Sequence, residues 1–194
     1  MATTAVPGRF LSDLVRNMSD IFLTKSERNL PGTAVVATVE GTSTILMEVQ
    51  ALTTHSYYNN PRRVANGIDI NRLNMIIAVL EKRCNLNLST QDIYVNVIGG
   101  MKVDEPAVDL SVAMSMFSSY KNIAISPKTV FLGEIGLTGE IRNITNFEKR
   151  IKEISKLGYD TIYTNKKQIE GLKEKVDAKL IGVSTIDETI SKFM

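Results

Sequence analysis

The chain has few of the residues on which metal sites and disulfide bonds depend. Its 194 residues include a single cysteine, Cys84, and a single histidine, His55. One cysteine excludes an internal disulfide, and one Cys with one His is too few for a zinc site of the usual ligand count. We therefore predict no metal site and a reducing, cytosolic setting.

Charge of one sign and long apolar runs are also missing. The 23 Lys and Arg nearly cancel the 21 Asp and Glu, which leaves a net charge of +2. This balance gives no overall attraction to nucleic acid or membrane, so any charged binding surface must be local. No run approaches the roughly 18 apolar residues of a membrane span, and the start carries no basic and apolar signal. We expect a cytoplasmic protein without a membrane partner.

The composition that remains is that of an ordinary globular chain, with 43% apolar residues. We predict a leader or linker over residues 1–30 and one domain over residues 31–194. Residues 1–10 are either a native tail or a remnant of cloning, because Pro7-Gly8 indicates a break and no periodicity precedes it.

The spacing of apolar residues predicts strands in the first part of the chain and a mixture of helices and strands after it. Alternation at 35–39 and 45–51 predicts a β-hairpin, and residues 57–66 are expected to be an exposed loop. Apolar residues at three-and-four spacing from Ile68 to Cys84 predict a helix with Asp69 as its N-cap.

Later segments favour strand–helix–strand units. A strand at 93–98 and a helix from Pro106 to Tyr120 are followed by strands at 130–132 and 140–144 around a turn. Thr145 and Glu148 predict a capping box for a helix that ends at Gly158. The remaining expectations are a strand at 161–163, a charged helix at 167–175, a strand at 178–183 and a helix at 186–193. The fold class is therefore α+β, or mixed α/β, with an early hairpin region and later βαβ units.

The junction at 99–110 combines a strand end, a loop and a helix start. Such a junction can hold an oxyanion or a nucleophile, because the first helical N–H groups are unpaired. Here Asp104, Glu105 and Asp109 occupy it, and carboxylates at a helix start also match the helix dipole. Nothing at this spacing is a nucleophile.

Linked motifs across this region resemble the Lon-protease-like C-terminal domain of the RadA/Sms family. The resemblance covers about residues 21–194 and rests on Gly99-Gly100, Asp104-Glu105-Pro106-Ala107-Val108-Asp109-Leu110 and Phe131-Leu132-Gly133-Glu134-Ile135-Gly136-Leu137-Thr138-Gly139-Glu140-Ile141-Arg142. Earlier similar motifs are Gln50-Ala51-Leu52, Pro61-Arg62-Arg63, Gly67-Ile68-Asp69-Ile70-Asn71-Arg72-Leu73 and Val79-Leu80-Glu81-Lys82-Arg83. It implies the fold of a Lon proteolytic domain.

The resemblance also implies that both catalytic residues of Lon are replaced. Lon proteases carry a serine in Gly-Pro-Ser-Ala-Gly and a later lysine. The matching positions here are Ala107 and Glu148, so neither the nucleophile nor its base is present. Ser111, one helical turn beyond Ala107, lies roughly 6 Å along the axis, too far from the unpaired N–H groups to replace it.

Basic residues are the other candidates for function. Arg62 and Arg63 in a loop rich in Tyr and Asn suit contacts to DNA phosphate, and Lys149, Arg150 and Lys152 line a helix. A structural explanation stays open for the helix cations, because Lys152 follows Glu148 by four residues. For Arg62 and Arg63 a functional role and a structural one both stay open.

The resemblance implies a non-proteolytic domain that serves as an oligomerisation scaffold and contacts DNA in a bacterial recombination and repair ATPase. The expected partners are DNA, recombinase proteins and further copies of the chain in a ring such as a hexamer. No Walker motif or paired Cys-x-x-Cys occurs, so ATP, Mg and Zn are expected only in other parts of such a protein, and no cofactor in this chain. Two alternatives stay open, a peptidase with a rewired serine and lysine, and a purely protein-binding module.

Overall fold

A computed structural model describes residues 30–41, 43–57, 59–173 and 175–194. Apart from Leu30, the predicted leader at 1–30 lies outside these residues. No helix in the described ranges is long and apolar enough to cross a membrane.

The described residues form nine strands and five α-helices. The strands are β1 Thr33–Glu40, β2 Ser43–His55, β3 Arg63–Asn66, β4 Gln91–Val97, β5 Thr129–Leu132, β6 Glu134–Ile135, β7 Ile141–Arg142, β8 Thr161–Asn165 and β9 Lys179–Val183. The helices are α1 Ile70–Cys84, α2 Asp109–Lys121, α3 Phe147–Lys156, α4 Lys166–Glu170 and α5 Ile186–Phe193, and a 3-10 turn over Pro106–Val108 leads into α2.

Seven strands form one mixed sheet in the order β3-β4-β2-β1-β5-β8-β9, and β6 and β7 form a separate hairpin. The β1–β2 and β2–β4 pairs are antiparallel, and the β3–β4, β1–β5, β5–β8 and β8–β9 pairs are parallel. The predicted early hairpin and later βαβ units are confirmed, and so is the mixed α/β class.

The core lies where α1 and α2 pack near the middle of the sheet. Helix α2 contacts β1, β2, β5 and α1. Fully buried side chains come from each of these layers, among them Leu46, Met47, Leu73, Leu80, Leu110, Phe117 and Phe131. Helix α1 begins as predicted, because the Asp69 side chain accepts a hydrogen bond from the Arg72 N–H at 2.9 Å.

Four local predictions differ from the structure. Part of the predicted loop at 57–66 is strand β3. Its four residues pair in parallel with β4, and their sequence shows no alternation that would predict a strand. The capping box is wrong: Asn146 in the left-handed conformation precedes α3 and no side chain caps it. The predicted helix at 167–175 ends at Glu170, and the predicted strand at 140–144 is limited to β7. Short elements carry too few periods to fix their ends.

Candidate functional site

Ala107 lies at the mouth of helix α2, on the 3-10 turn that joins the loop after β4 to the helix. Its side chain is 3% exposed. The Ala107 carbonyl accepts a hydrogen bond from the Gly133 N–H at 3.1 Å, and the Gly133 carbonyl accepts one from the Leu110 N–H at 3.1 Å. The turn is therefore fixed against the end of β5, with a methyl group at the position that the predicted resemblance assigns to the catalytic serine.

The loop before Ala107 is held by an ion pair between Glu105 and Arg150. The Arg150 side chain is 0% exposed and its guanidinium pairs with the Glu105 carboxylate. The same guanidinium donates to the Ala37 carbonyl at 2.6 Å and to the Thr145 carbonyl at 3.0 Å. Burial lowers the pKa of Arg150 to about 10, which leaves it charged at neutral pH. The pair joins α3 to β1 and to the mouth of α2.

This burial corrects the prediction that Arg150 contacts DNA, since a fully buried guanidinium with protein partners is not available to phosphate. The sequence held a signal that this prediction missed. Arg150 follows Phe147 by three residues and precedes Ile154 by four, so it lies on the apolar stripe of α3. Phe147 and Ile154 are buried with it.

A second ion pair, between Arg72 and Asp109, lies on the other side of the helix mouth. The Arg72 Nε donates to Asp109 Oδ1 at 2.8 Å, and its Nη2 pairs with Oδ2. Asp109 Oδ2 also accepts a hydrogen bond from the Ile135 N–H at 2.9 Å. Burial raises the pKa of Asp109 despite these bonds. The pair ties α1, α2 and the β6–β7 hairpin together.

A cleft of about 140 Å³ lies beside these two pairs. Carboxylates and apolar side chains line it together: Ile68, Asp69, Arg72, Ile76, Val103, Asp104, Glu105, Pro106, Val108, Asp109 and Val112. Asp104 pairs with Lys102 at 3.0 Å. Of the three predicted carboxylates at this junction, only Asp109 lies in the first turn of α2, and its side chain is bound to Arg72 and Ile135.

Ser111, the alternative nucleophile considered from the sequence, lies in the core. This side chain is fully buried, and its Oγ lies 2.7 Å from the Phe131 carbonyl and 3.1 Å from the Val35 carbonyl, to which it can donate. Glu148 is half-buried in the first turn of α3. A serine whose hydroxyl proton is held by backbone carbonyls in the core has neither a neighbouring base nor access to substrate.

Arg62 and Arg63, predicted together, differ in their surroundings. The Arg63 guanidinium donates to the Leu88 carbonyl at 2.8 Å and to the carbonyls of Gln91 and Arg62. It therefore holds the segment before β4 and has a structural role. Arg62 is exposed. Its backbone N–H donates to the Asp92 carboxylate at 2.7 Å, and this bond lowers the pKa of Asp92.

The other predicted cations lie on α3, where Lys149 and Lys152 are half-buried. The single cysteine and the single histidine also have simple surroundings. Burial raises the pKa of Cys84 to about 11, so its thiol stays protonated at neutral pH. His55 is exposed and packs edge-on against Tyr57, with ring centroids 5.5 Å apart.

Comparison with known proteins supports the predicted family. Residues 69–168, just over half of the chain, match the family model described as subunit ChlI of Mg-chelatase. The chain is 47% identical over 176 residues to the DNA repair protein RadA of Streptococcus pyogenes serotype M3, which covers 91% of this chain and 39% of that protein. It is 46% identical over 178 residues to RadA of Streptococcus pneumoniae, covering 92% of this chain and 42% of that protein.

A further relative is RadA of Halalkalibacterium halodurans, 43% identical over 176 residues. It covers 91% of this chain and 38% of that protein. The chain thus spans about two fifths of the length of the curated relatives it matches. Identity at this level over nearly the whole chain confirms the predicted resemblance to RadA proteins. The chain belongs to the family that the ChlI model defines.

Proposed function

We propose that this chain is a non-proteolytic domain of a bacterial, cytoplasmic RadA-type DNA repair protein, in which it assembles with further copies and contacts DNA. The proposed loss of proteolysis rests on the residues at the mouth of helix α2. Ala107 is buried at the nucleophile position, and the Glu105–Arg150 pair holds the adjoining loop. A fold without its catalytic groups is suited to assembly and binding.

The remaining parts of this proposal follow from the resemblance. Lon-type domains imply assembly as a ring such as a hexamer, and a role in recombination implies association with recombinase proteins. The sequence has no Walker motif and no paired Cys-x-x-Cys. ATP, Mg and Zn would therefore be held by other parts of such a protein, and this chain would carry no catalytic activity.

Peptidase activity is expected to be absent. Incubation of the chain with unfolded casein should give no cleavage, and a serine-reactive fluorophosphonate should give no label, because Ala107 has no hydroxyl and Ser111 is buried. Ala107→Ser alone should stay inactive, because Glu148 offers no amine to accept the hydroxyl proton. Gel electrophoresis and mass spectrometry measure both results.

A known serine hydrolase in the same reaction verifies the reagents. Label on Ser111, or casein cleavage by the unmodified chain, would favour the rewired peptidase instead. Strong activity of Ala107→Ser alone would show that the base lies elsewhere than position 148.

The proposed DNA surface starts from Arg62, with Lys149 and Lys152 as a second candidate group. Arg62 is exposed, always charged, and held on a short loop by the bond between its backbone and Asp92. An arginine can place two N–H groups on one phosphate. The near-neutral charge of the chain supplies little competing attraction, so removal of this one cation should have a measurable effect on DNA affinity.

Arg62→Gln is expected to weaken duplex DNA binding equally for unrelated sequences. The log–log dependence of affinity on salt should flatten by about 0.9 for each phosphate that the variant no longer neutralises. Fluorescence anisotropy across a salt series measures the slope. The oligomeric state should not change, because Gln keeps the polarity of the exposed side chain.

Lys179→Gln is the matched control, because Lys179 is an exposed cation on β9, at the opposite edge of the sheet. Equal slopes for Arg62→Gln and the unmodified chain would remove Arg62 from the DNA surface. A flattened slope in Lys149→Gln with Lys152→Gln would then place that surface on α3. Normal DNA binding with a changed oligomeric state would instead assign Arg62 to a subunit interface.

A further inference from the structure

Within the part of the chain that the structure describes, one face of the sheet is left open at its β3–β4–β2 end. Pairing places Val64 beside Tyr94 and Tyr94 beside Leu52, so these side chains form a row across three strands. Leu52 is 58% exposed and Val64 is 40% exposed. Large apolar side chains exposed side by side on a sheet indicate a binding surface.

The next row along the same face consists of neutral hydrogen-bonding side chains. The register aligns Asn66 with Asn96 and Asn96 with Gln50, and Gln50 with Thr33 of β1. Because side chains alternate along a strand, this row lies on the same face as the apolar row. Together with Leu30, the two rows line a groove of about 370 Å³.

The opposite face at this end is covered. Ala51, Ile93 and Val95 alternate with the exposed residues and are buried. The Thr53 N–H donates to Ser119 Oγ of α2 at 2.9 Å, which holds that helix against the sheet. Among the described residues, the two rows therefore lie on the uncovered side of the sheet.

The amide row goes against the usual composition of strands. Asn is depleted in strands, because its side chain competes for backbone hydrogen bonds. Asn66 and Asn96 are nevertheless exposed neighbours on adjacent strands. Residues that go against the preference of their secondary structure, without a structural role, are expected at functional positions.

The exposed charge of this face is positive. Glu48 and Asp92 lie on it by alternation but are 5% and 9% exposed. Glu48 accepts a hydrogen bond from Gln50 at 2.6 Å, and Asp92 accepts one from the Arg62 N–H. Arg62, two residues before Val64, extends the same face and is exposed. The face therefore suits a polyanion with flat apolar groups better than a basic or a purely apolar partner.

We propose that this open face binds single-stranded DNA. An unpaired base stacks on Tyr94 between Leu52 and Val64, the amides of Gln50, Asn66 and Asn96 bond to base edges, and Arg62 contacts a phosphate. Bases in a duplex stack on each other and are not offered to a flat sheet, whereas unpaired bases stack on aromatic platforms. This inference rests on the proposed DNA contact and names the form of DNA that one surface takes.

Tyr94→Leu and Asn96→Asp test the proposal. The 194-residue chain is titrated against a fluorescent oligothymidylate of about 20 nucleotides and against a duplex of the same length. Tyr94→Leu should weaken single-strand binding about tenfold, the effect of removing one base stack. Asn96→Asp should weaken it at least as much, because it places a negative charge beside the strand. Duplex binding should change less than about twofold in Tyr94→Leu, which alters no charge.

Leu137→Ala is the matched control, since Leu137 is 65% exposed in the turn of the β6–β7 hairpin, outside the proposed face. Circular dichroism verifies that Tyr94→Leu is folded, and Asn96→Asp changes only an exposed side chain. Unchanged single-strand affinity in both variants would overturn the proposal. A changed molecular mass with unchanged affinity would also overturn it and assign the face to a second copy of the chain.

Failure of the inference and failure of the proposed function give different results. If the unmodified chain binds duplex but not the oligothymidylate, the open face has another role while the DNA contact stands. If it binds neither, both fail.

Discussion

Glu105→Ala is expected to lower the free energy of unfolding by about 3 to 5 kcal/mol, the cost of leaving a buried charge without its partner. Arg150 is fully buried and keeps its charge at neutral pH, because burial lowers its pKa only to about 10. Its bonds to the Ala37 and Thr145 carbonyls remain in the variant, but neither neutralises the guanidinium. Urea unfolding followed by circular dichroism measures the decrease.

The matched control is Asp104→Ala, which breaks the neighbouring pair with Lys102. Both of those side chains are about 70% exposed, and exposed pairs contribute about 0 to 1 kcal/mol. The double variant Glu105→Leu with Arg150→Met should be more stable than Glu105→Ala, since it removes both charges. A decrease below about 1 kcal/mol for Glu105→Ala would contradict a buried, structural role for the pair.

Asp109→Ala is expected to destabilise the chain by about 2 to 4 kcal/mol, somewhat less than Glu105→Ala. The change leaves the buried Ile135 N–H without its acceptor and removes the counter-charge of Arg72. The effect is limited because the Arg72 side chain is 28% exposed and can reach water. Thermal and urea unfolding should agree on the difference.

Glu134→Gln serves as the control for Asp109→Ala, because Glu134 lies 3.9 Å from the same Arg72 and is itself 28% exposed. Its effect on the free energy of unfolding should stay below about 1 kcal/mol. Equal effects for the two variants would mean that the network around the hairpin, rather than the buried Asp109, supplies the stability.

Long periodic elements of this fold could be predicted from the sequence, and short ones could not. Helix α1 has four turns with one apolar stripe, and its cap Asp69 bonds as predicted. Strand β3 has four residues and is defined by its pairing with β4, which local periodicity does not contain. The helix start at Asn146 depends on a left-handed backbone conformation that Thr145 and Glu148 gave no reason to expect.

The parts of the candidate site that depend on local sequence could be predicted, and the parts that depend on contacts between distant segments could not. Matching motifs placed Ala107 at the mouth of α2, since a strand end, a loop and a helix start are local features. The pairing of Glu105 with Arg150 joins residues 45 positions apart and depends on tertiary packing. The open sheet face likewise combines three strands, so none of its rows is visible in a single segment.

The most direct test of the central claim is the affinity of the unmodified chain for DNA at two salt concentrations. A non-proteolytic DNA-contacting domain should bind DNA measurably at about 50 mM salt and clearly more weakly at about 200 mM, because phosphate contacts release counterions. Absence of binding at the lower concentration, or an affinity that salt leaves unchanged, would contradict a DNA-contacting role.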